Sequence, residues 1–95
     1  MATNFRIFPS RAKNTLYLNL RGDFDGMSAM ELICAITDNV AWAKKIYIQT
    51  DGLKSLLPFG CDIFQKKLAL CGPASKKIVV RGTHSSGLCL NDKRS

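Results

Sequence analysis

Between Thr15 and Arg21 the chain alternates: Leu16, Leu18 and Leu20 are apolar, while Tyr17, Asn19 and Arg21 carry polar groups. A period of two predicts a strand over residues 15–21 with one buried face. Phe5, Arg6, Ile7 and Phe8 read as a shorter strand ended by Pro9 and Ser10. The basic turn at 11–14 predicts an antiparallel hairpin between the two. Leu32, Ile33, Ile36 and Val40 then recur at helical spacing, with Asp38 and Asn39 on the other side. Ser28 and Glu31 match a capping box, and Met27 and Leu32 take the staple positions around it. The helix is predicted from Ser28 to about residue 42.

Ile46 and Ile48 alternate with Tyr47 and Gln49 in a strand over 46–50, which Asp51 and Gly52 turn. A loop leads to Pro58, whose missing amide suits the first turn of a second helix. Phe64, Leu68 and Cys71 form its apolar stripe, and Gly72-Pro73 ends it. Residues 77–81 are the last strand, closed by Gly82. The tail, 83–95, is polar apart from Leu88, Cys89 and Leu90 and reads as loose. The order β-β-α-β-α-β contains no repeat. It predicts a two-layer α/β sandwich: a mixed, mostly parallel four-stranded sheet with helices mainly on one face.

Ninety-five residues, 46% of them hydrophobic, suit a single domain (1–95) with one core, placed at about residues 3–82. No apolar run approaches the ~20 residues that span a bilayer. Residues 1–13 lack the apolar stretch of a signal peptide, so the expected location is the cytoplasm. Cys34, Cys61, Cys71 and Cys89 show no C-x-x-C pair and no zinc-like spacing to His84, and read as reduced thiols. Neither a metal nor a cofactor is expected.

The net charge is +7. Up to Ala43, Arg6, Arg11, Lys13 and Arg21 balance Asp23, Asp25, Glu31 and Asp38, so the excess lies beyond, including Lys44-Lys45, Lys66-Lys67 and Lys76-Lys77. Basic surfaces attract anionic partners, although lysines also simply solvate helix faces and ends.

Candidate chemistry centres on Arg21-Gly22-Asp23-Phe24-Asp25-Gly26, where a strand passes into a helix. An adhesion tripeptide would need an exposed extracellular loop, and nothing suggests secretion. The two aspartates are similar to the aspartate loop of haloacid-dehalogenase phosphatases, in which one carboxylate attacks phosphorus and Mg²⁺ shields the charge. That chemistry needs further acidic ligands and a lysine on later strands. Here those strands lead only to Gln49-Thr50-Asp51 and to Thr83 and His84. The chain is therefore read as a non-enzyme, with Asp25 shaping the turn.

A third comparison fits better. Leu18 to Asp25, followed by Ala29 and Leu32, resembles the opening of the STAS domain of sulfate transporters and anti-sigma-factor antagonists. The strand 46–50, Gly60 before a helix with Phe64 and Leu68, and Val80-Arg81-Gly82 continue the likeness over roughly residues 3–82. The resemblance implies a SpoIIAA-like regulatory module whose partner is a protein: a regulatory kinase, an anti-sigma-like protein or another signalling protein. In phosphorylatable members a serine precedes the glycine at the start of the second helix. Here Leu57-Pro58-Phe59-Gly60 stands in that place, with Ser55 the nearest upstream hydroxyl. The chain ends before the position of the family's usual last helix.

Parallel strands deliver their loops to the carboxyl edge of the sheet. Asp23, Asp25, Ser55, Leu57, Phe59, Gly60 and Cys61 are therefore the expected partner-binding cluster. Phe59 is either an exposed anchor or an apolar plug under its own loop. Cys61 sits where a helix dipole lowers a thiol pKa, but Asp62 opposes that effect, and a half-buried structural cysteine is the commoner outcome. The alternative function uses the open sheet face as a basic nucleic-acid- or anion-binding surface, carried by Arg6, Tyr17, Arg21, Tyr47, Lys77 and Arg81.

Overall fold

The leucine alternation becomes β2 (Thr15–Phe24), an inner strand whose Leu16, Leu18, Leu20 and Phe24 are buried on one face. The computed structural model describes residues 4–82. The expectations for the tail, with His84, Leu88, Cys89 and Leu90, lie outside the described residues. β1 (Arg6–Ala12) pairs antiparallel with β2 through a tight turn in which Lys13 takes φ 57°. It continues through Pro9, where the sequence predicts its end. A strand edge with no neighbour tolerates the missing ladder donor, and β1 is the edge strand of the order β1-β2-β3-β4.

β3 (Lys45–Leu56) runs parallel to β2 and extends well past the turn predicted at Asp51-Gly52. Those residues form a bulge instead. Asn19 pairs with Gln49 but Arg21 pairs with Gly52, so β3 holds one residue more than β2 over this stretch. A second shift follows, since Gly22 pairs with Leu53 and Asp23 with Ser55. Each extra residue moves the next side chains to the opposite face. Unbroken alternation from Ile46, Ile48 and Thr50 would turn Gly52 and Lys54 inward. The bulges bury Leu53 and leave Lys54 exposed.

α1 (Gly26–Asn39) and α2 (Pro58–Ala69) cover the inner face. Ala29, Leu32, Ile33 and Ile36 from α1 and Phe64 and Leu68 from α2 close over the sheet leucines and isoleucines. Phe24 is the hub: its ring meets Phe5 edge-on at 5.8 Å and Phe64 edge-on at 6.3 Å. Each buried aromatic of this kind contributes about 1.5–3 kcal/mol through apolar burial. α1 stops at Asn39, short of the predicted Trp42. The Asn39 side chain donates to Ala35 O at 2.7 Å and accepts from Trp42 Nε1 at 2.8 Å, which turns the chain out of the helix.

A 3-10 turn (Gly72–Lys77) leads into β4 (Ile78–Arg81), parallel to β3. Lys77 is therefore not on the sheet face, as the sequence reading has it. Its Nζ donates to Val40 O at 2.8 Å and places a cation at the carboxyl end of α1, where the helix dipole favours one. No helix among the described residues is long and apolar enough to cross a membrane.

Gly22 has φ 93°, and a Cβ there would lie 2.3 Å from the Asn4 carbonyl oxygen. The backbone angle strains any side chain at this position. Gly22→Ala is therefore expected to cost on the order of 1–3 kcal/mol, read as a lower urea midpoint with an unchanged slope.

Candidate partner-binding site

β2 has to become α1 within two residues, and Asp25 makes the change possible. It is the N-cap in extended backbone conformation, and its Oδ1 accepts from Ser28 N at 2.9 Å. This corrects the capping box predicted from Ser28 and Glu31. The helix begins at Gly26, so Ser28 lies inside the first turn with its hydroxyl 3.0 Å from both Asp25 Oδ1 and Asp23 O. Met27 is not a staple either, being 60% exposed. The Ser28 amide and hydroxyl stabilise the ionised carboxylate and lower the Asp25 pKa, the amide having the larger effect and burial acting against both.

The second half of the cluster is laid against the first by the β2–β3 pairing. Ser55 Oγ donates to Asp23 Oδ1 at 2.7 Å, and Leu57 N donates to Phe24 O at 2.9 Å. α2 then starts with Pro58 at its first position and no side-chain cap. A Cβ on Gly60 would lie 2.6 Å from Asp25 O, so only glycine lets α2 sit down on the Asp25 backbone. Gly26 answers on the other side: a Cβ there would lie 2.9 Å from Phe59 Cε2.

All seven residues expected at the carboxyl edge thus meet there. What they present is mainly apolar. Phe59 is 69% exposed and Leu57 46%. Phe59 is accordingly an exposed ring braced by an edge contact to Gly26 and not a core plug. Both carboxylates are held in hydrogen bonds within the turn. Cys61 is half-buried, and desolvation raises its thiol pKa above the ordinary cysteine value, against the small opposing influence of its own backbone hydrogen bond. The dipole at the α2 start does not make it a reactive thiol. Asn4 escapes the sequence reading, and Gly26, read there as a turn glycine, gains a second role. Asn4 Oδ1 accepts from Asp23 N at 3.2 Å, and Gly26 supplies the flat seat for Phe59. Only their neighbours in space give them these roles.

The outward sheet face collects five of the six residues assigned to it. Tyr17 and Tyr47 stack at 5.3 Å, Arg81 lies 4.6 Å above the Tyr47 ring, and the Arg21 guanidinium is 6.0 Å from the Phe8 ring. Arg6 is exposed opposite Arg21. Lys77 is elsewhere, as described above.

No protein-family model matches the chain, and comparison with curated proteins finds no match. Comparison with solved structures finds the fold. The unphosphorylated anti-sigma factor antagonist SpoIIAA superposes with a TM-score of 0.58 at 10% identity, over 80% of this chain and 70% of that one. An uncharacterized protein of the DUF3478 family with a SpoIIAA-like fold, from Shewanella loihica PV-4, gives 0.60 at 16% identity, over 87% and 72%. A crystal structure of Mglu gives 0.66 at 15% identity and covers 78% of this chain, which spans only 19% of the Mglu chain. The chain therefore has the SpoIIAA-like, STAS-type α/β fold.

Asp25→Ala is expected to cost about 0.5–2 kcal/mol at neutral pH through loss of the cap. The native carboxylate titrates below its unfolded counterpart, so its stabilisation is complete above about pH 5 and is lost as pH falls through the native pKa. Urea unfolding of parent and variant should converge in acid, whereas Asp25→Asn should keep a cap acceptor and lose the pH dependence. Alkylation by iodoacetamide at neutral pH should reach exposed Cys34 before Cys61, as peptide mapping would report.

Proposed function

We propose that this chain is a small regulatory module that works in the cytoplasm by binding a protein at the carboxyl edge of its sheet. The observation that carries the reading is the exposed pair Leu57 and Phe59, seated at the α2 start by Gly60 on Asp25 and by Gly26 under the ring. A braced aromatic with a neighbouring aliphatic is the kind of anchor that dominates protein interfaces. SpoIIAA, whose fold the chain shares, is an anti-sigma factor antagonist. Catalysis fits the site poorly, because Asp23 and Asp25 are both engaged in shaping the turn.

The module is proposed to lack the phosphorylation switch. The residue before Gly60 is Phe59, which has no hydroxyl, and Ser55 Oγ is already tied to Asp23. Partner affinity would then be set by the amount of this protein, or by the partner, rather than by phosphate at the helix start.

Phe59→Ser tests this. Its stability should stay within about 0.5 kcal/mol of the parent, as for other exposed positions. Immobilised parent should retain a discrete protein from nuclease-treated lysate of the source cell, and Phe59→Ser should lose it, as should Leu57→Ser. A variant that unfolds would return Phe59 to the core. A folded variant that keeps the partner would move the interface away from this edge.

A further inference from the structure

The outward sheet face is a grid. Ser10, Tyr17, Tyr47 and Val79 lie in one row across the four strands, and Phe8, Asn19, Gln49 and Arg81 in the next. Arg6, Arg21 and Gly52 make a third. Arg81 leans back one row onto Tyr47, at 4.6 Å, and the Arg21 guanidinium comes to 6.0 Å from Phe8. Such seating fixes the plane of a guanidinium while its N–H edge stays free for an anion. Among the described residues no carboxylate makes an ion pair with Arg6, Arg21 or Arg81.

Two features of this face are unfavourable in the isolated chain. Arg6 and Arg21 stand directly opposite each other across the β1–β2 pair, where like charges repel. Gln49 Oε1, in the centre row, is shut off from solvent without a hydrogen-bond partner. An anion between the arginines would relieve the first. A rotated amide meeting an N–H donor would relieve the second.

We infer that this face binds single-stranded nucleic acid. Phosphates would be placed at Arg6 with Arg21 and at Arg81. Bases would stack on Phe8, which is 47% exposed, and on the side of Tyr17 that small Ser10 leaves open. The Tyr17–Tyr47 stack itself is closed to intercalation, so the pile acts as a wall. Asp51 lines the hollow between Phe8, Arg21 and Gln49, which keeps phosphate to either side of it. An acidic peptide would use the arginines but leave the rings idle, and a duplex would hide its bases. The net charge of +7 supplies long-range attraction. The inference is independent of the partner reading, because Phe59 packs with the helix layer and not with this face.

The test is fluorescence anisotropy of the full chain with a labelled oligo-U of about ten nucleotides. A matching duplex and poly-glutamate serve as competitors. With two phosphates neutralised, affinity should fall about sevenfold between ~50 and ~200 mM salt, and Arg81→Ala, or Arg6→Ala with Arg21→Ala, should each lower the log–log slope by about 0.7. Phe8→Leu, which keeps the bulk and removes the ring, should weaken binding about fivefold or more. Lys66→Ala, on the α2 surface and paired with Asp62, should leave that slope unchanged. Circular dichroism confirms that each variant is folded. No binding at ~50 mM salt would overturn the inference, as would equal losses for Lys66→Ala and Arg81→Ala. Insensitivity to Phe8→Leu with full competition by poly-glutamate would overturn it in favour of an acidic protein.

Discussion

The contact between Gly60 and the backbone of Asp25 is the constraint on which the rest of the carboxyl edge depends. Asp25 ends β2 and caps α1, and the same peptide unit is the floor on which α2 begins. A side chain at position 60 would push α2 away from the turn. Leu57 would then be drawn off its hydrogen bond to Phe24 O, and Phe59 off Gly26. One close approach therefore links the start of one helix to the start of the other, and it exposes two apolar side chains in a fixed position. Because the capping carboxylate has a lowered pKa, the junction loses this stabilisation only as pH falls through that pKa.

The two bulges in β3 act on a larger scale. They keep a twelve-residue strand paired with a shorter stretch of β2 while preventing Lys54 from turning into the core. They also bring Ser55 opposite Asp23, which brings the second loop to the first. The sheet thereby separates two surfaces of different character. The helix-side edge offers Leu57 and Phe59, with its carboxylates turned to internal use. The outward face offers guanidiniums on aromatic rings, without ion-pair partners among the described residues. A protein of ninety-five residues has room for one core. Among the described residues both helices lie on one face of the sheet, so the two sides differ in character.

Much of this is legible in the sequence, because periodicity is a local property and the core follows from it. The alternation at 16–20 and 46–48, the helical spacing of Leu32, Ile33 and Ile36, and the stripe of Phe64 and Leu68 determine the elements, their order and the buried faces. Grouping the two loops at one edge also needs only the parallel order of the strands. Tertiary structure decided the rest. Pro9 sits in a strand because that strand is an edge, and Asp51-Gly52 is a bulge because the ladder resumes beyond it. Ser28 resembles a cap in isolation, yet Asp25 takes that role, because β2 delivers Asp25 in extended conformation with its carboxylate over the first turn. Lys77 leaves the sheet face for a carbonyl thirty-seven residues away. Each of these outcomes depends on a partner distant in sequence, and no local pattern encodes which partner the folded chain will supply.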